Sequence, residues 1–189
     1  MRRWLFWTLG VIGALVVVVV VLRLTYLIYP IAPGGVSDAP TIPGCNAREL
    51  AEGFTYRFRD PRRGELVVFH ASGHLGGEIT PDPHSRQLGI VKRVIGIPGD
   101  HVELRGGRVY VNGVKADDIV TQPFSPVDLG KDEYFLLGDN RSFSQDSRDF
   151  GPVPRSAIFG RVFLIYWPLS HFGGIPSRKP GKPPGDLHC

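Results

Sequence analysis

The sequence predicts an all-β domain of irregular antiparallel sheets that follows a single N-terminal transmembrane helix. Residues 4–22 form an uncharged run whose only polar side chain is Thr8. As a helix, this run is about 28 Å long at roughly 1.5 Å per residue, which is close to the thickness of a bilayer's hydrocarbon core. Over the whole 189-residue chain, the 24 glycines and 17 prolines make up more than a fifth of the residues. That composition favours many turns and short strands over long helices.

Six short segments rich in β-branched and aromatic residues are the predicted strands of the domain. They are residues 65–70, 88–95, 102–104, 108–112, 134–137 and 161–167. Gly106 and Gly107 separate the third segment from the fourth, which predicts a two-residue hairpin. Residues 72–86 are expected to form an exposed loop, and residues 117–131 a second connection.

The charges beside the uncharged run predict its orientation in a membrane. Arg2 and Arg3 precede the run, whereas Arg23 alone directly follows it. Positive residues favour the cytoplasmic side, so the short N-terminus is expected in the cytoplasm and the domain outside it. A cleaved secretory signal is disfavoured, because signal cores are usually about 7–15 residues long and end at a small-residue cleavage site.

These features divide the chain into a cytoplasmic N-terminus, a membrane anchor, a linker, an extracytoplasmic domain and a flexible tail. The five segments cover residues 1–3, 4–22, 23–36, 37–169 and 170–189. The tail is expected to be flexible because proline and glycine recur throughout it.

The distribution of charge argues against nucleic acid as a partner. Residues 1–23 contain arginines but no acids and hold +3 of the net charge of +4, and residues 170–189 hold a further +2. The domain between them is therefore slightly acidic. A nucleic-acid binder concentrates its basic residues on the folded part of the chain.

Cysteine and histidine residues predict neither a disulfide framework nor a metal site. Two cysteines, Cys45 and Cys189, are too few for such a framework, and whether they pair stays open. His70 and His74 are four residues apart, which suits a helix, but they fall on a predicted strand and loop. We therefore expect no metal and no organic cofactor.

Three segments carry residues that suit catalysis. Residues 138–153, GDNRSFSQDSRDFGPV, crowd acids, arginines and hydroxyls after an apolar strand, and such a network can support a catalytic group. Residues 91–100, VKRVIGIPGD, place Lys92 inside an apolar strand, where a buried lysine without a partner is a candidate general base. Residues 34–42, GGVSDAPTI, place Ser37 after paired glycines. The alternative is that Lys92 pairs with an acid or reaches solvent and that Ser37 is an ordinary loop residue.

These segments, together with RGELVVF at 63–69 and GRVFLIYWP at 160–168, resemble the ordered sequence boxes of type I signal peptidases. The resemblance runs from about residue 37 to residue 168, and the pattern GDNRxxSxDSRxxGxV is complete. It implies a signal-peptidase-like fold and a serine–lysine dyad, with Ser37 as the nucleophile and Lys92 as its general base.

The resemblance also implies supporting roles for four further residues. Ser144 would orient the lysine amine, Asp146 and Arg148 would form an ion pair, and Gly35 would assist backbone N–H groups near Ser37 in an oxyanion hole.

The implied function is that of a membrane-bound serine endopeptidase that removes signal peptides from exported preproteins by cleaving after small residues. Its partners would be signal peptides, the lipid bilayer and the secretion machinery. Two alternatives stay open. One is a specialised relative that matures conjugation or pilus subunits, and the other is a non-catalytic homologue that binds leader peptides without cutting them.

One segment departs from the family pattern. The box around the nucleophile usually reads SGSMxPT, whereas residues 35–41 read GVSDAPT. Val36 replaces a glycine, and Asp38 replaces a methionine that helps to line the substrate pocket in the family. We expect Asp38 to stabilise the charged form of Lys92 and so to weaken it as a base. Val36 would restrict the backbone that aims the oxyanion hole.

Overall fold

The computed structural model describes residues 2–31, 36–43, 47–73, 79–84 and 88–175. Within these ranges, helix α1 (Arg2–Leu27) is followed by thirteen strands and one short helix, α2 (Ser147–Phe150). The strands are β1 (Ile28–Ile31), β2 (Arg48–Glu52), β3 (Leu66–Gly73), β4 (Ile79–Pro81), β5 (Leu88–Gly96), β6 (His101–Arg105), β7 (Arg108–Val111), β8 (Val114–Lys115), β9 (Val127–Asp128), β10 (Glu133–Leu137), β11 (Val153–Pro154), β12 (Ile158–Trp167) and β13 (Gly173–Gly174).

The strands form two antiparallel sheets. The larger sheet has the order β1-β2-β12-β3-β5-β10-β11, with β13 added to β12 and β4 added to β3. The smaller sheet has the order β8-β7-β6-β9. This arrangement confirms the predicted fold of irregular antiparallel sheets.

All six predicted strands are present, at β3, β5, β6, β7, β10 and β12. The predicted hairpin joins β6 to β7, with Arg105 paired to Arg108. Gly106 and Gly107 both have positive φ, at 55° and 76°. A type I′ turn requires positive φ at both central positions, and glycine adopts it without a steric penalty.

The structure differs from the sequence prediction in the connecting segments. The linker expected over 23–36 is shorter, because α1 continues to Leu27 and β1 then pairs with β2. The exposed loop expected over 72–86 contains β4, which pairs with the end of β3. The tail expected from residue 170 begins with β13, which pairs with β12. Each of these short strands is held by backbone hydrogen bonds to a neighbour, which side-chain patterns do not reveal.

Helix α1 contains the uncharged run, and many of its large apolar side chains are exposed, from Trp4 to Val21. Over the parts of the chain that the structure describes, no helix combines the length and apolar character needed to cross a membrane. The transmembrane role of residues 4–22 therefore stays a prediction. Cys45 and Cys189 lie outside the described residues, as does His74.

The core of the larger sheet is built on β3, which is buried on both faces. Successive side chains of a strand point to opposite faces, and Val67, Phe69 and Ala71 join one apolar cluster, whereas Leu66 and Val68 join another. Strand β5 lies between β3 and β10. Lys92 and Arg93 of β5 therefore lie on an interior strand of the larger sheet, which has a paired strand on each side.

A buried ion pair between Arg93 of β5 and Asp139 connects three parts of the chain. Arg93 Nε donates to Asp139 Oδ1 at 2.8 Å, and its Nη2 donates to Asp139 Oδ2 at 2.6 Å. The same guanidinium donates to the Gly64 carbonyl at 2.5 Å and to Thr41 Oγ1 at 3.3 Å, and Thr41 in turn donates to Asp139. The pair thus joins the segment after Ser37, the segment before β3 and the turn after β10.

Strand β2 carries two acids in contrasting environments. Burial, and then the charge of Asp38, raise the pKa of Glu49 to about 7. The net pKa of Glu52 lies below its usual value. Burial alone would raise that pKa, but hydrogen bonds from Thr55 and Arg161 to the carboxylate outweigh the effect of burial. The folded state therefore favours a protonated Glu49 and an ionised Glu52.

Replacing Asp139 with Asn should lower the free energy of unfolding by about 3–5 kcal/mol, because it leaves the Arg93 charge buried without a counterion. Urea denaturation of the full chain in detergent measures this change. The matched control is Asp118→Asn, whose exposed carboxylate pairs with Lys115 and whose replacement should change the free energy of unfolding far less, because solvent screens a surface ion pair. Equal losses for the two variants would show that the buried pair contributes no more than a surface pair.

The substitution Glu49→Gln should stabilise the protein increasingly as pH rises from about 5 to 8.5. The folded state holds a proton on Glu49 that the unfolded chain releases near its ordinary pKa of 4.5. Wild-type stability therefore falls as pH rises from about 4.5 through 7, by on the order of 2–3 kcal/mol, and the glutamine variant does not share this loss.

Thermal melts of wild type, Glu49→Gln and Glu52→Gln across this pH range test the prediction. The control, Glu52→Gln, should be less stable than wild type by a nearly constant amount above pH 6. The lowered pKa of Glu52 means that its ionised form stabilises the fold, and this contribution is lost only as pH falls through that pKa. A constant difference between Glu49→Gln and wild type would contradict the raised pKa.

Candidate active site

Ser37 lies in a single 3-10 turn, Val36–Asp38, whose backbone is fixed from both sides. The Ser37 carbonyl accepts a hydrogen bond from Asn140 N at 2.9 Å, and the Asp38 carbonyl accepts one from Ile42 N at 2.9 Å. These bonds satisfy polar backbone groups that would otherwise be costly to bury. They hold the turn that carries Ser37 against the turn that follows β10.

Gly138 shows how closely the two turns pack. A Cβ atom at this position would lie 2.2 Å from Ser144 Oγ and 2.5 Å from the Ser37 carbonyl oxygen. Neither distance is compatible with a side chain, so glycine is required by close approach. Gly138 N also donates to Asp146 Oδ2 at 3.0 Å, which fixes the backbone beneath Ser37.

Lys92 projects from the central strand β5, where it is paired with Val67 of β3. Its Nζ donates to Ser37 Oγ at 2.8 Å and to the Val91 carbonyl at 2.9 Å. Only 4% of the Lys92 side chain is exposed. The structure therefore brings the two residues predicted to form the dyad into direct contact, although they are 55 positions apart. Their catalytic roles stay predictions.

Asp38 lies beside both of these residues. The Ser37 hydroxyl donates to Asp38 Oδ2 at 2.7 Å, and the same oxygen is 3.8 Å from Lys92 Nζ. Burial raises the pKa of Asp38, and this effect exceeds the opposing effects of the Lys92 charge and the Ser37 hydrogen bond. The proximity to Lys92 expected from the sequence is thus present.

Asp146 and Arg148 form the ion pair that the resemblance implies. Arg148 Nε donates to Asp146 Oδ1 at 2.7 Å, and Nη2 donates to Oδ2 at 2.9 Å. The arginine also donates to Thr121 Oγ1 at 2.8 Å and to the Ser144 carbonyl at 3.0 Å. Asp146 additionally caps helix α2. The pair closes the loop 138–148 on itself, which suits a supporting role.

The structure does not bring the Ser144 hydroxyl into a hydrogen bond with Lys92. Ser144 Oγ donates to the Gln145 carbonyl at 3.4 Å, and the described hydrogen bonds of Lys92 go to Ser37 and Val91. Ser144 nevertheless lies next to Gly138 and the Ser37 turn, and its orienting role stays a prediction. Gly35 lies outside the described residues.

Several buried residues of the site were not singled out from the sequence. They are Arg93 and Asp139, which form the ion-pair network described above together with the half-buried Thr41, and Asp117, which pairs with buried Arg141. The position of Arg93, a second charged residue beside Lys92 in an apolar strand, could have indicated a buried ion pair, because a buried guanidinium needs an acidic partner. No comparable signal marked Asp117, which lies in a connection with few apolar residues.

Comparison with known proteins identifies the family. Residues 3–167 match the family described as signal peptidase, peptidase S26. The chain is 41% identical over 133 residues to a probable signal peptidase I-2 from Synechocystis sp., covering 68% of this chain and 58% of that protein. It is 36% identical over 144 residues to a signal peptidase I from Leptolyngbya laminosa, covering 74% and 66%.

A more distant relative and a solved structure extend the comparison. The chain is 32% identical over 170 residues to signal peptidase IB of Staphylococcus aureus, covering 78% of this chain and 82% of that protein. A crystal structure of a signal peptidase I from Enterococcus faecalis is 27% identical and covers 55% of this chain and 97% of that one, with a TM-score of 0.40.

The chain spans 58% and 66% of the length of the Synechocystis and Leptolyngbya relatives, respectively. The family match nevertheless covers most of the present sequence, including the Ser37 turn, β5 and the loop 138–148. This chain belongs to the signal peptidase family, peptidase S26.

Proposed function

We propose that this protein is a membrane-anchored serine endopeptidase that removes signal peptides from exported preproteins by cleaving after small residues. The observation that carries the proposal is the 2.8 Å hydrogen bond between the buried Lys92 amine and the Ser37 hydroxyl. A serine and a base in contact, fixed by neighbouring groups, are the requirements of nucleophilic acyl transfer. Membership of the signal peptidase family supports the substrate class.

The proposed reaction proceeds through an acyl-enzyme. Lys92, as a neutral amine, takes the hydroxyl proton while Ser37 Oγ attacks the carbonyl carbon of the scissile peptide. Backbone N–H groups near Ser37 stabilise the oxyanion, and the Lys92 ammonium returns the proton to the leaving amine as the C–N bond breaks. Lys92 then takes a proton from water, whose oxygen attacks the ester carbonyl carbon. The Lys92 ammonium returns that proton to Ser37 Oγ as the ester C–O bond breaks, which releases the cleaved signal peptide and restores the dyad.

Ser37, and with it the acyl group, would remain at the same place throughout. The Asn140 N to Ser37 O hydrogen bond and the ion pair of Asp146 with Arg148 involve no reacting atom. Both can persist while the dyad acts, and preorganisation of this kind lowers the cost of reaching the transition state.

The proposed location follows from the N-terminal segment. Residues 4–22 would cross the cell membrane once, with residues 1–3 in the cytoplasm and the β-domain outside. The uncharged sequence and the exposed apolar side chains of α1 support this. The lipid bilayer and the secretion machinery are then natural partners, because substrates leave the membrane close to the site.

Both Ser37→Ala and Lys92→Ala should lower cleavage by at least about a thousandfold, because each removes a member of one catalytic unit. The assay follows cleavage of a preprotein with an Ala-x-Ala site by the full chain in detergent. Ser142→Ala and Lys115→Ala are matched controls at exposed positions, and both should cleave at nearly the wild-type rate.

Three outcomes distinguish the alternatives. Loss of cleavage in Ser37→Ala and Lys92→Ala, but not in the two control variants, supports the dyad. Cleavage that survives in Ser37→Ala would assign the activity to other residues. A wild-type protein that binds the preprotein but never cuts it would favour a leader-binding homologue.

Protease added to the outside of intact cells should degrade the β-domain and leave a tag placed before residue 1 intact, because that tag would lie in the cytoplasm. Immunoblotting against the tag and the domain measures both ends. A cytoplasmic protein serves as the control for lysis. A domain that is fully protected while the control confirms intact cells would reverse the proposed orientation.

A further inference from the structure

The Asp38 carboxyl group touches the proposed dyad, and the mechanism above gives it no role. The Ser37 hydroxyl donates to Asp38 Oδ2 at 2.7 Å while it accepts from Lys92 Nζ at 2.8 Å. Lys92 Nζ and Asp38 Oδ2 are 3.8 Å apart. The three groups form a compact triangle in which Ser37 Oγ contacts both of the others.

This triangle is buried, and it contains an unusual polar atom. The side chains of Lys92 and Asp38 are 4% and 7% exposed. Asp38 Oδ1 is buried and has no hydrogen-bond partner among the described residues. An unsatisfied buried carboxylate oxygen costs free energy, and such atoms are rare enough that each invites a functional explanation.

The Ser144 hydroxyl makes no hydrogen bond to Ser37 or Lys92 among the described contacts, so a different group must orient these two side chains. The Ser144 hydroxyl donates to the Gln145 carbonyl at 3.4 Å, whereas Asp38 contacts Ser37 Oγ directly. Lys92 is fixed on its other side by the Val91 carbonyl at 2.9 Å. Asp38 therefore occupies the position from which the dyad can be aligned.

We propose that Asp38 is the positioning residue of the Ser37–Lys92 dyad, in the orienting role that the family resemblance gives to Ser144. The inference rests on the proposed function and adds to it the group that aligns the nucleophile. An ionised Asp38 accepts from Ser37 in the resting site. A protonated Asp38 donates to Oγ instead, so the contact persists when the Ser37 hydrogen turns toward a neutral Lys92.

The surroundings of Asp38 support a carboxyl group that can adopt both states. Its pKa is raised first by burial, and the charge of Asp139 raises it further, whereas Lys92, Ser37 and Arg93 lower it. These groups come from β5, the turn after β10 and the Ser37 turn itself. Glu49 of β2 is also coupled to Asp38, whose charge contributes to the raised pKa of Glu49.

The test compares Asp38→Leu, Asp38→Asn and Ser144→Ala in preprotein cleavage by the full chain. Leucine has a similar size but cannot hold the hydroxyl, so kcat should fall about a hundredfold, as expected for a misplaced nucleophile, with little change in KM. Asparagine keeps a side-chain oxygen that accepts from Ser37 and should restore kcat to within about tenfold of wild type. The loss in Ser144→Ala should be at least about tenfold smaller than the loss in Asp38→Leu.

The dependence of kcat on pH provides a second test, because replacing a residue with a purely structural role would not shift this pH profile. In the ionised state of Asp38, its carboxylate lies 3.8 Å from Lys92 and favours the ammonium form of the lysine, and Asp38→Asn removes that charge. The rise of kcat with pH should therefore begin at lower pH in Asp38→Asn than in wild type. Both profiles are measured with Glu49→Gln present, so that the ionisation of Glu49 does not contribute.

The outcomes separate this inference from the proposed function. Equal cleavage by wild type and Ser37→Ala would reject the dyad itself. An active wild type with an inactive Ser37→Ala, but equal losses in Asp38→Leu and Ser144→Ala, would overturn the role of Asp38 alone. If circular dichroism shows that Asp38→Leu does not fold, the Asp38→Asn profile decides, and an unchanged profile overturns the inference.

Discussion

The bidentate ion pair between Arg93 and Asp139 is the constraint on which the site depends. Both side chains are almost fully buried, and the desolvation of two charges is offset only when geometry and further hydrogen bonds are favourable. Thr41 and the Gly64 carbonyl supply those bonds. Because Arg93 is adjacent to Lys92 and Thr41 is four residues after Ser37, this buried network also constrains the distance between Ser37 and Lys92, the two members of the proposed dyad.

The organisation of the site follows from this arrangement. Lys92, the proposed base, lies on a strand with a paired neighbour on each side, whereas Ser37, the proposed nucleophile, lies on a short turn. A turn has few hydrogen bonds of its own, so its position must come from elsewhere. A main-chain hydrogen bond from Asn140 N, in the turn after β10, to the Ser37 carbonyl fixes the position of the Ser37 turn. The ion pair of Asp146 with Arg148 in turn stabilises the conformation of the turn after β10.

Much of the fold could be predicted from local sequence, because the six predicted strands are rich in β-branched and aromatic residues. Strands β1, β4 and β13 could not be predicted, since each is held by backbone pairing with a neighbouring strand and not by a distinctive side-chain pattern. For the site, the order of the motifs identified Ser37 and Lys92, but sequence spacing gives no distance between residues 55 positions apart. The role of Asp38 illustrates the limit. The sequence showed an unusual acid beside the nucleophile, whereas its contact with the hydroxyl depends on the conformation of the turn.

The close packing at Gly138 has a consequence for how the site can change through substitution. The space beneath Ser37 is filled by main-chain atoms and by the Ser144 side chain, with no volume for an added carbon. Added side-chain volume on that side of Ser37 is therefore sterically excluded. Position 38, which contacts the Ser37 hydroxyl from another direction, already holds an aspartate where the family pattern has a methionine. A change of side chain there alters the surroundings of the hydroxyl without filling the space that the Ser37 backbone requires.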